Sequence, residues 1–473
     1  MKIAFIQEFW QEYQGIMYLS AFAKQNGHKT EVFIKGEKNL MENICSFQPD
    51  IVGLCITTGS HNWALNVSKQ LKNKLNIPVI FGGPHPTVCP GIIEKDSVDI
   101  ICRGEGEYAL VELLNNLGKG KDITKIKNLW VKKDNKIYKN EIRPLIGNLN
   151  ILPQPDWPLY YKYKFLKDKK TKTFTSSRGC PFNCTFCTNH TFRNLFAGKG
   201  NYVRQRSADN FLEEIKSVKK VINFDTITFD DEIFILNKEW LKEFLPRYKN
   251  EIGLPFFCGL RADLITEEIA DLLKENGCYG ISFGIETGNE NLRNVILGKG
   301  VTNEKIIKAA EIVHKKGIIL RTTNMFCLPA ENIDISLETL MLNIKCKVDH
   351  PFAYLFQPLP QTKAFEYSIA NGYLPKDFSF DQLEELHLNN NPLILKDKNR
   401  MLNLQKFFYL TVKHPFLLPV TKTLIKLPPN AVYDLIFKIS LVLNYRTYKR
   451  LSLLTTLKLG LKMEMPNLFK KNN

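Results

Sequence analysis

Short apolar runs separated by single helical segments are the feature that most limits how this chain folds. In the first 118 residues such runs occur at Lys2–Gln7, Thr30–Ile34, Asp50–Thr57, Pro78–Phe81 and Asp99–Cys102. A strand followed by one helix and another strand pairs in parallel through a right-handed crossover. The pattern therefore predicts a doubly wound sheet, and such sheets bind ligands beyond the carboxyl ends of their strands.

The same alternation returns after a stretch punctuated by prolines. Leu129–Tyr138 has the pattern of a hairpin around Asp134-Asn135. About six strand–helix units follow between Thr173 and Leu374, fewer than a complete eightfold barrel contains. We expect an α/β protein with a Rossmann-like domain, a partial (β/α)6 barrel and a C-terminal helical segment. The predicted bounds are 1–145 for the first domain, 146–170 for a linker, 171–375 for the barrel and 376–473 for the helical region.

The positive charge of the chain is concentrated at one end. The 473 residues carry a formal charge of +17, of which 15 basic and 3 acidic residues between Asn391 and Asn473 supply +12. This segment is also apolar, and Ala431–Leu443 is typical of an amphipathic helix. A helical cap over the barrel with a solvated basic face is the favoured interpretation. Contact with an anionic membrane surface is the second. Nucleic acid is the least favoured, because the segment has no strong basic platform with interleaved aromatic residues of the kind that binds single strands.

The cysteine content indicates a reduced compartment. Eleven cysteines scattered through a long chain do not resemble a disulfide framework. Four of them, Cys258, Cys278, Cys327 and Cys346, have no ligand spacing and are expected to be small core residues. The chain shows neither a secretory signal pattern nor an apolar run long enough to span a membrane. We expect a cytoplasmic protein, with membrane association left open by the basic C-terminal region.

Three cysteines stand apart from the others. Cys180, Cys184 and Cys187 form a C-x3-C-x2-C motif on one short loop. Three thiolates that hold a [4Fe–4S] cluster leave one iron open for another ligand. The alternative is a structural zinc site, which needs four ligands and has only His190 nearby as a candidate fourth.

The segment Ser177–Cys187 resembles the signature of radical S-adenosylmethionine (SAM) enzymes, with an aromatic residue, Phe186, before the third cysteine. In that family the open iron binds SAM, and the reduced cluster cleaves SAM to a 5′-deoxyadenosyl radical. The resemblance therefore implies a [4Fe–4S] cluster on the three cysteines.

Further motifs resemble the same family in the same order. They imply that Asp230, Asp231, Gly284 and Glu286, together with Phe186, bind SAM, with Glu286 accepting from the ribose. The segment Met325–Pro329 resembles the strand end beside adenine, but it lacks the usual glycine-rich turn. For the acidic residues a helix cap or an ion pair is the alternative, and for Arg261 a structural ion pair is as plausible as a role in holding a carboxylate.

The first domain resembles the cobalamin-binding domain that precedes many radical SAM barrels. The residues that this resemblance assigns to cobalamin follow predicted strands: Thr57, Thr58, Gly82, Gly83, Gly104 and Glu105. One departure concerns Gln7–Gly15, which contains no histidine. In many such domains a histidine of this loop ligates cobalt, so the question whether this domain binds cobalamin stays open. His61 and His85 are expected to be loop or packing residues.

Together the resemblances imply a cobalamin-dependent radical SAM methyltransferase that uses methylcobalamin to methylate an unactivated carbon. Radical cyclisation or rearrangement is one alternative, and a non-catalytic cobalamin carrier or sensor with a structural metal is another. The implied partners are a small-molecule or lipid-like substrate and an external electron donor of the flavodoxin or ferredoxin type. No side chain is required as a general base, so no catalytic residue is assigned beyond the cluster ligands.

Overall fold

The structure is a computed structural model that describes residues 1–383, 388 and 391–449. The chain divides into two compact units. Unit 1 comprises Met1–Pro181, Thr191–Phe224 and Ser379–Glu385, and unit 2 comprises Phe182–His190, Asp225–Phe378 and Leu386–Asn473. The four-part division expected from the sequence stays a prediction.

A seven-stranded sheet forms the centre of unit 1. Its strands are β1 (Lys2–Gln7), β2 (Lys29–Ile34), β3 (Ile51–Cys55), β4 (Val79–Gly82), β5 (Ile100–Cys102), β6 (Leu129–Lys133) and β7 (Lys136–Lys139). The order is β2-β1-β3-β4-β5-β6-β7, and the first five are parallel. The connecting helices are α1 (Gln14–Gln25), α2 (Leu40–Phe47), α3 (His61–Leu75), α4 (Pro84–Val88), α5 (Glu107–Gly118) and α6 (Lys164–Lys167). The five predicted parallel strands are confirmed.

This strand order places the topological switch point between β1 and β3. The chain leaves the two strands in opposite directions there, which opens a crevice at their carboxyl ends. The predicted hairpin is confirmed, because β6 and β7 pair in an antiparallel manner. Asp134 and Asn135 have φ values of 51° and 58°, as a tight hairpin turn requires.

Shorter elements complete unit 1 and the cysteine segment. They are β8 (Thr171–Phe174), β9 (Ser177–Arg178), α7 (Thr188–Leu195), β10 (Arg204–Gln205) and α8 (Ala208–Val221). Strands β9 and β10 pair in an antiparallel manner just before the first cysteine of the motif. Ser207 stands directly before a helical pattern, which predicts an N-cap. Its side chain accepts the N–H of Asn210 at the start of α8, which confirms that role.

Unit 2 contributes five parallel strands to a sheet, in the order β15-β14-β13-β12-β11. They are β11 (Thr226–Phe229), β12 (Phe256–Gly259), β13 (Cys278–Glu286), β14 (Ile319–Phe326) and β15 (His350–Leu355). The helices are α9 (Lys238–Glu251), α10 (Glu267–Glu275), α11 (Asn303–Lys315), α12 (Ile333–Lys345), α13 (Lys363–Ala370), α14 (Lys398–Lys413), α15 (Leu418–Leu424) and α16 (Ala431–Lys449). The expected α/β architecture is therefore confirmed.

Packing in unit 2 is dense beside the end of β11. The Phe229 ring stacks on Phe234 with centroids 4.5 Å apart and meets Tyr248 edge to face at 5.5 Å. The four cysteines predicted to be core residues are buried. Close packing of these side chains keeps the end of β11 in a fixed position.

The sequence also has the pattern of helices at Asp381–Leu388 and Leu451–Leu461, within the predicted helical region 376–473. The stretch Asp381–Leu388 begins with a 3₁₀ turn at Phe380–Gln382 rather than an α-helix, and most of its remainder lies outside the described residues. The predicted helix Leu451–Leu461 lies wholly outside them. Among the described residues, no helix is both long enough and apolar enough to cross a membrane.

Candidate active site

The cysteine loop is fixed in unit 2 through Thr185. Its N–H donates to the Leu297 carbonyl at 2.9 Å, and its hydroxyl donates to the Ile296 carbonyl at 2.6 Å. Its own carbonyl accepts the N–H of Ala364 at 3.0 Å. Because Thr185 lies between Cys184 and Cys187, these bonds set the positions from which both thiols project.

The thiols are half-buried, as is that of Cys180 in unit 1. Burial raises the pKa of the Cys187 thiol to about 11. A bound metal displaces the thiol proton. The backbone N–H and the side-chain amide of Asn189 lie 3.5 and 3.7 Å from Cys187 Sγ, and they would then stabilise the thiolate. Donors of this kind suit an iron–sulfur ligand.

The zinc alternative receives no support from the described residues. His190 is buried, and its Nδ1 lies 2.8 Å from the Cys187 carbonyl. No group of three or more His, Cys, Asp or Glu side chains in the described ranges is close enough to hold one metal ion. A four-iron cluster does not need that convergence, because its cysteines bind different irons.

Glu286 ends β13 in an unusual backbone conformation. Its φ is 64°, and the register with β14 shifts between Gly284 and Glu286. The carboxylate is buried and lies 2.6 Å from Lys299 Nζ. A Cβ at Gly284 would come within 1.9 Å of Glu286 Oε1 and 2.7 Å of Lys299 Nζ. Glycine at position 284 is therefore what allows the carboxylate to turn back over the strand end.

Arg261 joins the cysteine loop to the same region. Its guanidinium carbon lies 3.6 Å from the centroid of the Phe182 ring, and Nη1 lies 3.9 Å from Cys184 Sγ. It also forms an ion pair with Asp263 at 3.0 Å and donates to the Lys299 carbonyl at 2.8 Å. These contacts favour the structural alternative raised from the sequence, in which Arg261 fixes the loop.

The other residues assigned to SAM occupy different surroundings. Phe186 is half-buried against a hydrophobic cluster that includes Leu297 and Leu328. Asp230 and Asp231 follow β11, where Asp230 is exposed and Asp231 is buried. Their role in SAM binding stays a prediction.

The turn after β14 is built without glycine. Cys327 and Ala330 adopt left-handed φ values of 59° and 64°. The Glu331 carboxylate closes the turn by accepting the Leu328 N–H at 2.8 Å and the Ser336 hydroxyl at 2.7 Å. Burial raises the pKa of Glu331 to about 7, although both hydrogen bonds act in the opposite direction. The buried carboxylate thus takes the place of the glycine-rich turn that the sequence lacks.

Unit 1 contains an apolar cavity of about 320 Å³ at the switch point of its sheet. Four of the residues predicted to bind cobalamin line it, namely Gly82, Gly83, Gly104 and Glu105. Thr57 and Thr58 are not among its lining residues. The cavity has the position and the apolar character expected for a large ligand with a buried tail.

The glycines of this cavity are required by its geometry. Gly83 has φ 96° and ψ −168°, a conformation open essentially to glycine alone. A Cβ there would lie 2.9 Å from the Ile56 carbonyl oxygen, and one at Gly104 would lie 2.7 Å from the Phe196 ring. The backbone itself therefore forms this part of the wall.

Thr58 instead contacts His85, whose ring stacks on that of His61. Its hydroxyl lies 2.9 Å from His85 Nδ1, and the His85 and His61 rings stack with centroids 4.4 Å apart. Nε2 of His61 lies 2.9 Å from the Asp381 carboxylate. Burial lowers the pKa of His85 to about 4. These contacts favour the interpretation of both histidines as packing residues.

The carboxylate of Glu105 is held within the protein. It forms ion pairs with Arg178 at 2.8 Å and Arg204 at 2.9 Å, and it accepts the Ile146 N–H at 2.8 Å. Arg178 also pairs with Glu107 at 2.7 Å. Arg178 stands two residues before Cys180, so this network ties the cavity wall to the start of the cysteine motif.

The loop that lacks a cobalt-ligating histidine has a defined structure. The Gln7 side-chain amide donates to the carbonyls of Phe9 at 2.6 Å and Gln11 at 2.8 Å. Its oxygen accepts the Tyr160 hydroxyl at 2.5 Å. The side chain of Gln7, the last residue of β1, thus fixes the loop that follows the strand.

Comparison with known proteins decides the family. Residues 174–341 match the model of the radical SAM superfamily, and residues 12–114 match that of the B12 binding domain. An uncharacterized methyltransferase of Pyrococcus horikoshii is 32% identical over 70% of this chain and 72% of its own length. The chain belongs to the cobalamin-binding radical SAM family. This radical SAM enzyme therefore uses a [4Fe–4S] cluster, SAM and cobalamin.

Two further relatives add context. The anaerobic magnesium-protoporphyrin IX monomethyl ester cyclase of Rubrivivax gelatinosus is 24% identical over 76% of the radical SAM enzyme and 68% of its own length. The structure of the methyltransferase TsrM from Kitasatospora setae, with cobalamin and a [4Fe–4S] cluster bound, aligns with a TM-score of 0.65 at 16% identity. That alignment covers 82% of this chain and 83% of the other, and it supports the fold.

Three residues of the radical SAM enzyme were not found from the sequence. Lys299 pairs with Glu286 from thirteen residues further on, Arg178 holds Glu105 across 73 residues, and Glu331 closes the turn after β14. Arg178 lies inside the segment that resembles the radical SAM signature, which was the available signal. Lys299 and Glu331 had no distinguishing pattern.

Proposed function

We propose that this radical SAM enzyme methylates an unactivated carbon of a small-molecule or lipid-like substrate. The observation that carries the proposal is that one chain contains both the cysteine loop and the glycine-lined cavity of a cobalamin domain. The Pyrococcus relative, which aligns with 70% of this chain and carries a methyltransferase name, supports it. An external flavodoxin- or ferredoxin-type donor would supply the electron.

When bound, the cluster with SAM supplies a hydrogen-abstracting radical, and cobalamin supplies the methyl group. Cys180, Cys184 and Cys187 would hold the cluster, and Arg261 and Thr185 would keep the loop in place. Glu286 would accept hydrogen bonds from the SAM ribose, with Lys299 holding its carboxylate. Gly82, Gly83, Gly104 and the backbone of Glu105 would line the site of the cobalamin tail.

The protein's own contribution is positioning and the exclusion of water. Buried groups such as Glu286 and Lys299 are already desolvated, so their interactions are stronger than in water. No described side chain is needed as a general base. The proposed chemistry does not involve the basic C-terminal segment.

Radical cyclisation is the second candidate function. It is favoured by the similarity to the magnesium-protoporphyrin ester cyclase, which extends over three quarters of the chain. A product that carries an added methyl group would exclude it, and a product of unchanged carbon count with a new ring would support it.

The test uses the full chain under anaerobic conditions. The protein is reconstituted with iron and sulfide, loaded with cobalamin and SAM, and reduced, and 5′-deoxyadenosine is then measured. We expect bound cobalamin, a cluster spectrum and 5′-deoxyadenosine. In Cys184→Ala the nucleoside should disappear, whereas Cys45→Ala, which removes a half-buried cysteine outside the motif, should retain it.

Other outcomes identify the error. A cluster that cleaves SAM in protein unable to bind cobalamin would exclude the methyl transfer proposed here. Bound cobalamin without cleavage by folded, cluster-loaded protein would instead favour the carrier or sensor alternative.

A further inference from the structure

Exposed apolar side chains are concentrated in the C-terminal helices. Of the thirteen large hydrophobic side chains that are exposed among the described residues, seven lie between 416 and 443. They are Phe416, Val420, Leu427, Val432, Leu435, Ile439 and Leu443. Single exposed apolar residues are ordinary, but a contiguous group marks an interaction surface.

One face of helix α16 presents apolar residues to solvent. Val432, Leu435 and Ile439 are 62%, 58% and 51% exposed, and their spacing of three and four residues places them on one face. Among the described side chains of the helix, the buried ones are Tyr433, Ser440 and Asn444, and four apolar ones are half-buried, namely Ile436, Phe437, Leu441 and Val442. A helix on the surface of a soluble protein usually turns polar residues to solvent, whereas here an apolar stripe is exposed while Ser440 and Asn444 are buried.

The buried face of α16 is specifically attached to unit 2. The Tyr433 ring packs on Phe407 with centroids 4.7 Å apart. The Asn444 side chain donates to the Pro351 carbonyl at 2.9 Å and lies 3.0 Å from His350 Nδ1. The outward direction of the apolar face is therefore set by contacts on the other residues of the helix.

The charge around this face identifies its occupant. Between Lys413 and Arg446 the sequence has five basic residues and one acidic residue, Asp434, and Asp434 forms an ion pair with Lys406 at 2.7 Å. Lys413, Lys422 and Lys426 are exposed. An apolar stripe among lysines complements a lipid surface with anionic headgroups.

Charge also disfavours two other occupants. A second copy of the chain would bring an equally basic surface against this one. Residues 450–473 contain five basic residues and one acidic residue, so they too carry the same sign. Nucleic acid would match the charge but would leave the apolar stripe in water.

We infer that α16 and the adjoining residues 413–427, called here the C-terminal surface, dock on an anionic membrane surface. The apolar stripe would enter the boundary between headgroups and acyl chains, while the lysines contact the headgroups. The inference does not depend on the proposed methyl transfer, since it needs no cofactor.

The test is flotation of the full-length protein with lipid vesicles, without reconstitution. Vesicles of equal parts phosphatidylglycerol and phosphatidylcholine are compared with vesicles of phosphatidylcholine alone. We expect binding to the anionic vesicles that weakens as salt is raised. Val432→Asp combined with Ile439→Asp should reduce this binding at least about tenfold.

Val221→Asp is the matched control. Like Val432, Val221 is 62% exposed and lies at a helix end, in α8 of unit 1. It should bind vesicles as the parent protein does. An equal loss in Val221→Asp, or no loss in the double variant, would overturn the inference. So would the absence of flotation, or light scattering that shows a dimer which the double variant converts to monomer.

Discussion

At the residue scale, the strand end of β13 shows how one small residue permits a buried charge. Glu286 adopts a left-handed backbone and places its carboxylate over Gly284, next to Lys299. A buried ion pair is tolerated only when both partners are satisfied. Lys299 supplies this pairing for Glu286, and the Lys299 carbonyl accepts from Arg261, which also contacts the cysteine loop.

This geometry makes Gly284→Ala a specific probe. The added Cβ would overlap the Glu286 carboxylate, so we expect SAM affinity of the cluster-loaded enzyme to fall at least about tenfold. Equilibrium dialysis under anaerobic conditions measures it. Gly147→Ala is the control, since nothing lies within 4 Å of a Cβ there. Unchanged affinity in Gly284→Ala would contradict the assignment of Glu286 to the SAM site.

Glu331 gives a pH-dependent prediction. Its pKa is about 7 in the folded protein, against 4.5 for an unperturbed glutamate. Because the folded state binds this proton more tightly, the stability it contributes is complete below about pH 4.5 and is lost as the pH rises through about 7. The loss is roughly 3 kcal/mol at most.

Calorimetry at pH 5 and pH 8 measures this loss. We expect Glu331→Gln to reduce the fall in melting temperature between the two pH values, because glutamine does not titrate. Glu311→Gln, at an exposed position on α11, should leave the fall unchanged. If Glu331→Gln behaves like the control, Glu331 does not titrate in this range.

At the scale of elements, the carboxyl ends of β4 and β5 form a wall of backbone. Gly83 and Gly104 line the cavity, and at each a Cβ would come within 3 Å of another group. The Glu105 side chain fastens this wall to β9 and β10 through Arg178 and Arg204. The glycines provide the space, and the ion pairs keep it open.

Gly83→Ala should therefore impair cobalamin binding. Its Cβ would lie 2.9 Å from the Ile56 carbonyl oxygen, so the wall must move, and we expect at least about a tenfold loss of affinity. Absorbance titration with cobalamin measures the effect. Gly120→Ala is the comparison, because Gly120 also has a positive φ but has nothing within 4 Å. Equal affinities in the two variants would mean that the cavity is not the cobalamin site.

At the scale of the whole molecule, the two units contain different candidate sites. The cavity belongs to unit 1, and the Glu286–Lys299 pair belongs to unit 2. A ligand that binds only the folded form stabilises the structure around its own site. Cobalamin and SAM should therefore stabilise separate parts of the chain.

Hydrogen exchange followed by mass spectrometry can measure this local stabilisation as slower amide exchange. We expect cobalamin to slow amide exchange in Gly82–His85 and Gly104–Glu107 in protein that lacks the cluster. SAM added to the cluster-loaded protein should slow exchange around Glu286 and Lys299. Protection by cobalamin confined to unit 2 would place its site elsewhere than in the cavity.

Local patterns in the sequence were sufficient for the architecture. The alternation of strands and helices, the turn at Asp134-Asn135 and the cap at Ser207 depend on residues close together in the chain, and each is confirmed. The cysteine motif could also be recognised in the sequence, because its three members lie within eight residues. For the same reason the resemblance to radical SAM enzymes is visible in the sequence alone.

The tertiary structure decided what lies between distant residues. It showed that Thr58 faces His85, that the Glu105 carboxylate is held by arginines 73 and 99 residues away, and that Lys299 neutralises Glu286. It also showed that α16 turns Val432, Leu435 and Ile439 outward. The amphipathic pattern of that helix indicates that it has an apolar face, but only the contacts of Tyr433 and Asn444 determine which way that face points. Sequence periodicity specifies the faces of an element, whereas their orientation depends on partners that the fold brings together.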